Sequence, residues 1–222
     1  MDCYLHEAIA LISLDDEKGN FTSAGGYINY AFGAAFVMDL LLEERIKLEE
    51  DRVHLLTNAI TDSRALNSLI EQIGKRKKPE RVSNWIHLCV ERLGKLRQLT
   101  VDKLVADGTL AQTEGKILWV FSVDRYPTQN PQPENELRQR LKALMLDEST
   151  EPDQKERMLL TILLKCELYA EMVEGKQQRK TAKGRLENLT SDDKMQKEVG
   201  RAIQEMLALV MITTTTMVAT SS

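Results

Sequence analysis

Cysteine, histidine and aromatic side chains are all scarce in this chain: three Cys, three His and 5% Phe, Trp and Tyr together among 222 residues. Cys3, Cys89 and Cys166 are odd in number, widely spaced and form no C-x-x-C, a pattern that fits neither a disulfide framework nor a zinc site. Cys89 and Cys166 stand among apolar residues at helical spacing and read as small buried hydrophobes. His6, His54 and His87 are isolated, with no second His or Cys at metal-ligand spacing. Ser13 and Ser23 lack the context of a nucleophile elbow, and Gly25-Gly26 is not followed by the Lys-Ser/Thr that a phosphate-cradling loop requires. No apolar run reaches the roughly 20 residues needed to span a bilayer. Asp2, His6 and Glu7 interrupt the start, where a signal peptide would need its apolar stretch. These absences lead to the expectation of a non-enzymatic chain with no cofactor, cytoplasmic or held peripherally at a membrane.

What is present favours helix. The composition is rich in Leu, Glu and Lys, and the length suffices for one sizeable core. A net charge of −4 and a pI near 5.6 argue against a surface devoted to nucleic acid, although local basic clusters remain possible.

Leu5, Ala8, Ile9 and Ile12 follow the helical period, predicting an amphipathic helix from Cys3 to Ser13, which Asp15 to Asn20 terminates. From Tyr30 to Leu42 the sequence is almost continuously apolar, with Gly33, Ala34 and Ala35 small enough for a neighbour to approach closely; that is a core helix. Further helices are predicted over Ala59–Gly74, Ser83–Ala106, Glu134–Leu146 and Lys155–Val173, and from Lys194 onward. Tyr126 to Pro133 is too proline-rich for helix or central strand and reads as a stiff connector. The β-branched run Thr213–Thr216 weakens the last helix, so 211–222 reads as a frayed tail. Met38–Leu56 and Asp102–Val120 echo one another: Leu40 matches Leu104, Ile46 matches Leu110, Val53 matches Ile117 and Leu55 matches Trp119. Each copy reads as a helix end, a strand, a turn (Glu49-Glu50-Asp51 or Thr113-Glu114-Gly115) and a second strand. The expected fold is therefore mainly α, one globular helical domain over 1–222 with two small β-hairpins. Helix followed by hairpin is also the shape of a winged helix, but Asp39, Glu43, Glu44, Asp102 and Asp107 on those helices would repel phosphate, so nucleic acid is not an expected partner.

Taken in order, several of these segments resemble the Golgi phosphoprotein 3 family. They are Tyr4-Leu5-His6-Glu7, Ala10 to Gly19, Gly33-Ala34-Ala35, Leu42 to Leu48, Trp85-Ile86, Leu104 to Leu110 and Tyr126-Pro127. Each motif is mostly apolar pattern plus glycine, and their shared order from Cys3 to about Val218 carries the likeness. The resemblance implies a largely helical domain with a β-hairpin used in self-association. It also implies a peripheral membrane protein whose eukaryotic members bind phosphatidylinositol 4-phosphate at the Golgi and help to retain glycosyltransferases. Those members carry a basic tail before the domain, and the expectation here is a prokaryotic or minimal member. Of the family's lipid-pocket residues, a Trp and an Arg fall on Ala24 and Gly33, and an i,i+3 Arg pair falls on Gly94 and Arg97. Only Arg97 matches, and neither Gly nor Ala replaces a guanidinium on phosphate.

Five candidate sites follow. Arg92, Lys95 and Arg97 form a possible phosphate-binding set, with a solvated helix face beside Glu91 as the plainer alternative. Lys75, Arg76, Lys77 and Lys78 form the densest basic run, suited either to a helix C-terminus or to anionic lipid. A second basic stretch, Lys176 to Arg185, reads as a mobile loop. Phe21, Tyr27 and Ile28, beside Gly25-Gly26, suit an apolar loop that dips into headgroups, or one folded over the core. Leu110, Ile117 and Trp119 mark the second hairpin as the self-association element. Two functions are thus open: a peripheral protein on anionic phospholipid, with weakened or altered specificity for phosphatidylinositol 4-phosphate, or a soluble interaction module that forms homo-oligomers through its hairpin.

Overall fold

The computed structural model describes residues 3–15, 21, 27–117, 121–191 and 197–205, with the backbone alone for 114–117 and 121–124. It is mainly α, as the composition and periodicity predict. Helix α1 (Leu5–Ser13) packs on α2 (Tyr27–Leu42), and α2 lies in the middle of the molecule against α1 and the helices over Val82–Glu91 and Gln154–Lys165. Because α2 is covered on several sides, it needs no polar stripe: Ala31 to Leu40 are buried without a break, including the lone carboxylate Asp39. Gly33 is the closest approach. A Cβ there would lie 2.8 Å from the Ile86 carbonyl oxygen, so only glycine lets α2 meet the facing helix at this point.

Helix α3 runs over Arg64–Gly74, five residues later than expected at its start. Ser63 caps it by accepting from the Leu66 N–H, and Asn67 folds back to hold the backbone of Thr61, which leaves 59–62 outside the helix. The single helix expected over 83–106 is two, α4 (Val82–Glu91) and α5 (Leu93–Ala106), bent at Arg92 with φ −98° and ψ 10°. The apolar period runs straight through this bend, since Trp85, Ile86 and Cys89 continue into Leu93 and Leu96, so periodicity alone hides it. Helices α6 (Gln132–Leu146) and α7 (Gln154–Lys165) follow. The expected continuation of α7 to Val173 stops at Glu167, which sits in the left-handed region at φ 58° and starts one 3-10 turn, Leu168–Glu171. The stretch expected as a mobile loop is helix α8 (Gly175–Leu189), anchored by buried Ala182, Leu186 and Leu189 at i, i+4 and i+7. Its cationic face masks an apolar stripe only three residues wide.

Strands β1 (Ile46–Glu49) and β2 (Arg52–Leu55) form the first hairpin, closed by Glu50 and Asp51 with φ 49° and 63°. Positive φ at both turn residues matches the twist of the strands they join. A third strand not foreseen in the sequence, β3 (Glu80–Arg81), pairs with β2. In the second hairpin, β4 (Thr113–Ile117) pairs with β5 (Phe121–Arg125), so Thr113-Glu114-Gly115 is strand rather than turn. The echo fails here because Asp107-Gly108-Thr109 first wraps the chain back over the end of α5, with Gly108 at φ 75°, and delays the strand. A helical stretch over 197–205 buries Val199, Ala202 and Ile203 and joins the first hairpin through Arg81, which reaches Asp51 at 2.8 Å and Glu205 at 3.4 Å. Residue Trp119 and the tail 211–222 lie outside the described residues.

Candidate functional site

At the N-terminus of α1 the backbone amides of Leu5 and His6 donate to Asp39 at 2.8 and 3.0 Å, and His6 Nδ1 stands 2.6 Å from the same carboxylate. His6 Nε2 faces Ser63 Oγ at 3.3 Å. The order acid, imidazole, hydroxyl is that of a hydrolytic triad. All three residues are at most 2% exposed, however, and none lines a described cavity, so no substrate reaches the hydroxyl. Ser63 is also occupied as the α3 cap. The constellation locks α1 to α2 and α3. Sequence reasoning missed it because its members are 33 and 57 positions apart, with no local spacing to betray them.

The largest described cavity, about 520 Å³, lies between α1, α5 and α6. Most of its charges are paired: Arg140 grips Glu156 at 2.7 and 2.9 Å, and Lys103 reaches Asp107 at 2.8 Å and Glu7 at 3.8 Å, while Glu136 accepts from Gln132 at 2.8 Å. Burial pushes the Cys3 thiol up to about 11, with Glu7 adding to the shift, so the cavity offers no thiolate nucleophile. Burial likewise pushes Cys89 and Cys166 up to about 12. Among the described residues no cluster of His, Cys, Asp and Glu could hold a metal ion.

The proposed phosphate set does not converge. Arg97 turns inward from α5, its guanidinium 4.5 Å from the Phe21 ring and 4.7 Å from the Phe32 ring, and it donates to Asn29 Oδ1 at 2.9 Å. Burial lowers its pKa to about 10, and Nε is buried without a partner. Arg92 and Lys95 are exposed. The apolar loop must also be corrected. Phe21 packs edge-on against Phe32 with centroids 5.6 Å apart, and Ile28 is 5% exposed, so both belong to the core margin; Tyr27 is half-buried. Leu110 is 1% exposed, which removes it from any self-association surface. The backbone of Ile117 ends β4. Residue 24 lies outside the described residues, while residue 33 faces Ile86, so the register that placed a pocket arginine there puts it inside a helix contact. Within α8, Arg185 is spent on structure, donating to the carbonyls of Glu148 and Thr150 at 3.2 and 2.9 Å.

The basic run is where the charge is free. It forms the turn between α3 and β3. Lys75 pairs with Glu71 one helical turn back, and Arg76 reaches Glu80 at 3.3 Å. Lys77 and Lys78 are exposed and make no ion pair among the described residues. Lys95 adds to this patch, since its charge and that of Lys75 both hold the Glu71 carboxyl below its ordinary range, after the Lys75 hydrogen bond. Beneath the turn is a recess of about 250 Å³. Val53, Leu55, Ile73, Pro79 and Trp85 supply its apolar surface, and His54, Arg76, Lys77, Lys78 and Glu80 its polar rim. The Arg76 guanidinium lies 5.6 Å from the Trp85 ring centroid.

No helix among the described residues is long and apolar enough to cross a membrane. Compared with known families, the chain matches Golgi phosphoprotein 3 (GPP34) over residues 5–206. No curated protein matches it.

Proposed function

Since the chain belongs to the Golgi phosphoprotein 3 family, we propose that it is a non-enzymatic peripheral membrane protein that attaches to anionic phospholipid through the cationic turn Lys75–Lys78, extended by Lys95. The observation that carries this reading is the exposure of Lys77 and Lys78 without a carboxylate partner among the described residues, on a chain whose net charge is −4. Each such cation near an anionic leaflet contributes about 1 kcal/mol, and the attraction decays within a Debye length. The inward Arg97 and the packed Gly33 support a headgroup preference altered from phosphatidylinositol 4-phosphate. Co-sedimentation with liposomes of graded anionic content, one series containing phosphatidylinositol 4-phosphate, tests the proposal. Binding should rise with surface charge and fall with salt; no binding at low salt overturns it.

A second reading has its own observation. Strands β4 and β5 pair only with each other among the described residues, which leaves both outer edges of the hairpin open to another chain. On that reading the protein is a soluble module that self-associates through 113–125. Light scattering of the full chain, with and without a proline in β5, separates the two functions, because lipid attachment through the basic turn survives loss of the hairpin contact.

A further inference from the structure

The cavity between α1, α5 and α6 contains groups that its internal pairs leave unused. Glu7, Asp107, Glu136 and Glu156 line it against two cations, Lys103 and Arg140, so its wall has an excess of two negative charges. Just outside, Lys155 over the Tyr4 ring is offset by Asp62, which accepts from the Tyr4 hydroxyl. Glu136 is exposed at the rim, and its hydrogen bond comes from the neutral Gln132 at 2.8 Å. The arginines on either side of it along α6 are engaged elsewhere, Arg138 by Glu134 and Arg140 by Glu156. Thr109 is a second, independent feature. Its N–H donates to the Leu104 carbonyl at 2.9 Å, and its carbonyl accepts from Gln129 and Asn130 at 3.0 and 3.1 Å. Its hydroxyl makes no hydrogen bond among the described residues, although the residue is only 7% exposed. A polar group in so buried a residue is normally bonded. Unlike Glu7 Oε1, which is sealed, the Thr109 hydroxyl keeps accessible surface, and this is the described cavity that Thr109 lines.

Both groups stand at the start of α6. Asn130, held by the Thr109 carbonyl, accepts from the Gln132 N–H through its side chain at 3.1 Å, and Gln132 reaches on to Glu136. Leu11, Leu104, Leu137 and Leu141 supply an apolar wall in the same cavity. An anion finds no free cation here, because Arg140 is gripped by Glu156 and Lys103 by Asp107. A volume of about 520 Å³ is that of a small-molecule site. We propose that the cavity binds a small organic amine, whose ammonium donates to the Glu136 carboxylate and the Thr109 hydroxyl while its apolar body lies against the four leucines. An ammonium has three N–H donors and no acceptor, which suits a carboxylate beside a hydroxyl. No residue of the basic turn lines this cavity, so the site is independent of the membrane reading.

Calorimetric titration of the full chain with phenethylamine tests the site. Saturable binding is expected. Phenethyl alcohol, which lacks the charge, and hydrocinnamate, which reverses it, should bind about tenfold more weakly or less. Glu136→Gln still accepts from Gln132, so it should keep the thermal unfolding midpoint while weakening phenethylamine about tenfold. Thr109→Val removes an unpartnered hydroxyl at nearly constant volume. It should leave the midpoint unchanged or raised and weaken binding severalfold, a combination that a purely structural role would not give. Bound phenethylamine should also slow the labelling of Cys3, the cysteine in the cavity wall, by a thiol reagent. No saturable binding, equal affinity for the alcohol, or undiminished binding in both variants overturns the proposal. Binding of acetyl-Ala-Lys-Ala-amide without binding of phenethylamine overturns it too, and assigns the cavity to a lysine side chain of a protein partner.

Discussion

His6 Nδ1 and Asp39 Oδ2 meet at 2.6 Å in a fully enclosed setting, and the same carboxylate receives two backbone amides from the first turn of α1. One side chain therefore satisfies three polar groups that no water reaches. Asp39→Ala strips all three of their acceptor and should destabilise the protein by about 3–5 kcal/mol, whereas Ser63→Ala removes one cap and should cost about 1 kcal/mol. Urea unfolding followed by far-UV circular dichroism checks the ratio. Similar losses for the two variants would mean that the carboxylate is not the organising group.

Two glycines should respond in opposite directions. At Gly33 an added methyl would meet the Ile86 carbonyl oxygen at 2.8 Å and its Cγ2 at 3.0 Å, while at Gly94 nothing lies within 4 Å. Gly33→Ala should lower stability by about 1–3 kcal/mol, and Gly94→Ala, in the first turn of α5, should raise it by up to about 1 kcal/mol. Thermal melts of the pair decide the matter, and a neutral Gly33→Ala contradicts the close packing of α2 on α4.

Arg97 offers a less obvious expectation. Its guanidinium is partly desolvated, its pKa is lowered to about 10 by burial, and Nε has no partner. Arg97→Met keeps much of the contact with Phe21 and Phe32 and removes the desolvation penalty. Stability should stay within about 1 kcal/mol of the parent or increase. A loss of more than about 2 kcal/mol in equilibrium unfolding would show that the stacked cation holds this corner together.

The buried thiols predict a pH dependence. Burial keeps Cys89 and Cys166 protonated to about 12 in the folded protein, against an ordinary value of 9.0. Above 9.0 the unfolded chain binds fewer protons than the folded one, so this contribution to stability is intact below 9.0 and is lost as pH rises toward 12. A thiol reagent at pH 8 should label neither residue in the native protein, and both in urea. Rapid native labelling of either would contradict its burial.

Much of the helical framework can be read from the sequence because it depends on local period. Leu5, Ala8 and Ile9 mark α1, and the continuous apolar run through Val37 marks α2 as central. What escapes depends on contacts distant in sequence or on single backbone angles. The bend at Arg92 and the left-handed Glu167 interrupt helices without interrupting their apolar period. Strand β3 exists only because Arg52 and Val53 are there to pair with it. For the site, the basic run was visible as composition, but the recess beneath it was not, since Trp85 reads as one more core aromatic until Val53, Leu55 and Pro79 are brought around it. Conversely, Ile28 and Leu110 looked usable on the surface because apolar character says nothing about which side of a loop faces in.

Arg81 ties Asp51 in the first turn to Glu205 in the last described helix, 124 positions away along the chain. During synthesis the hairpin that walls the recess emerges well before the helix that clasps it. The recess therefore acquires its finished wall only once residue 205 has been made, and a product cut short before residue 197 would carry the cationic turn without the brace behind it.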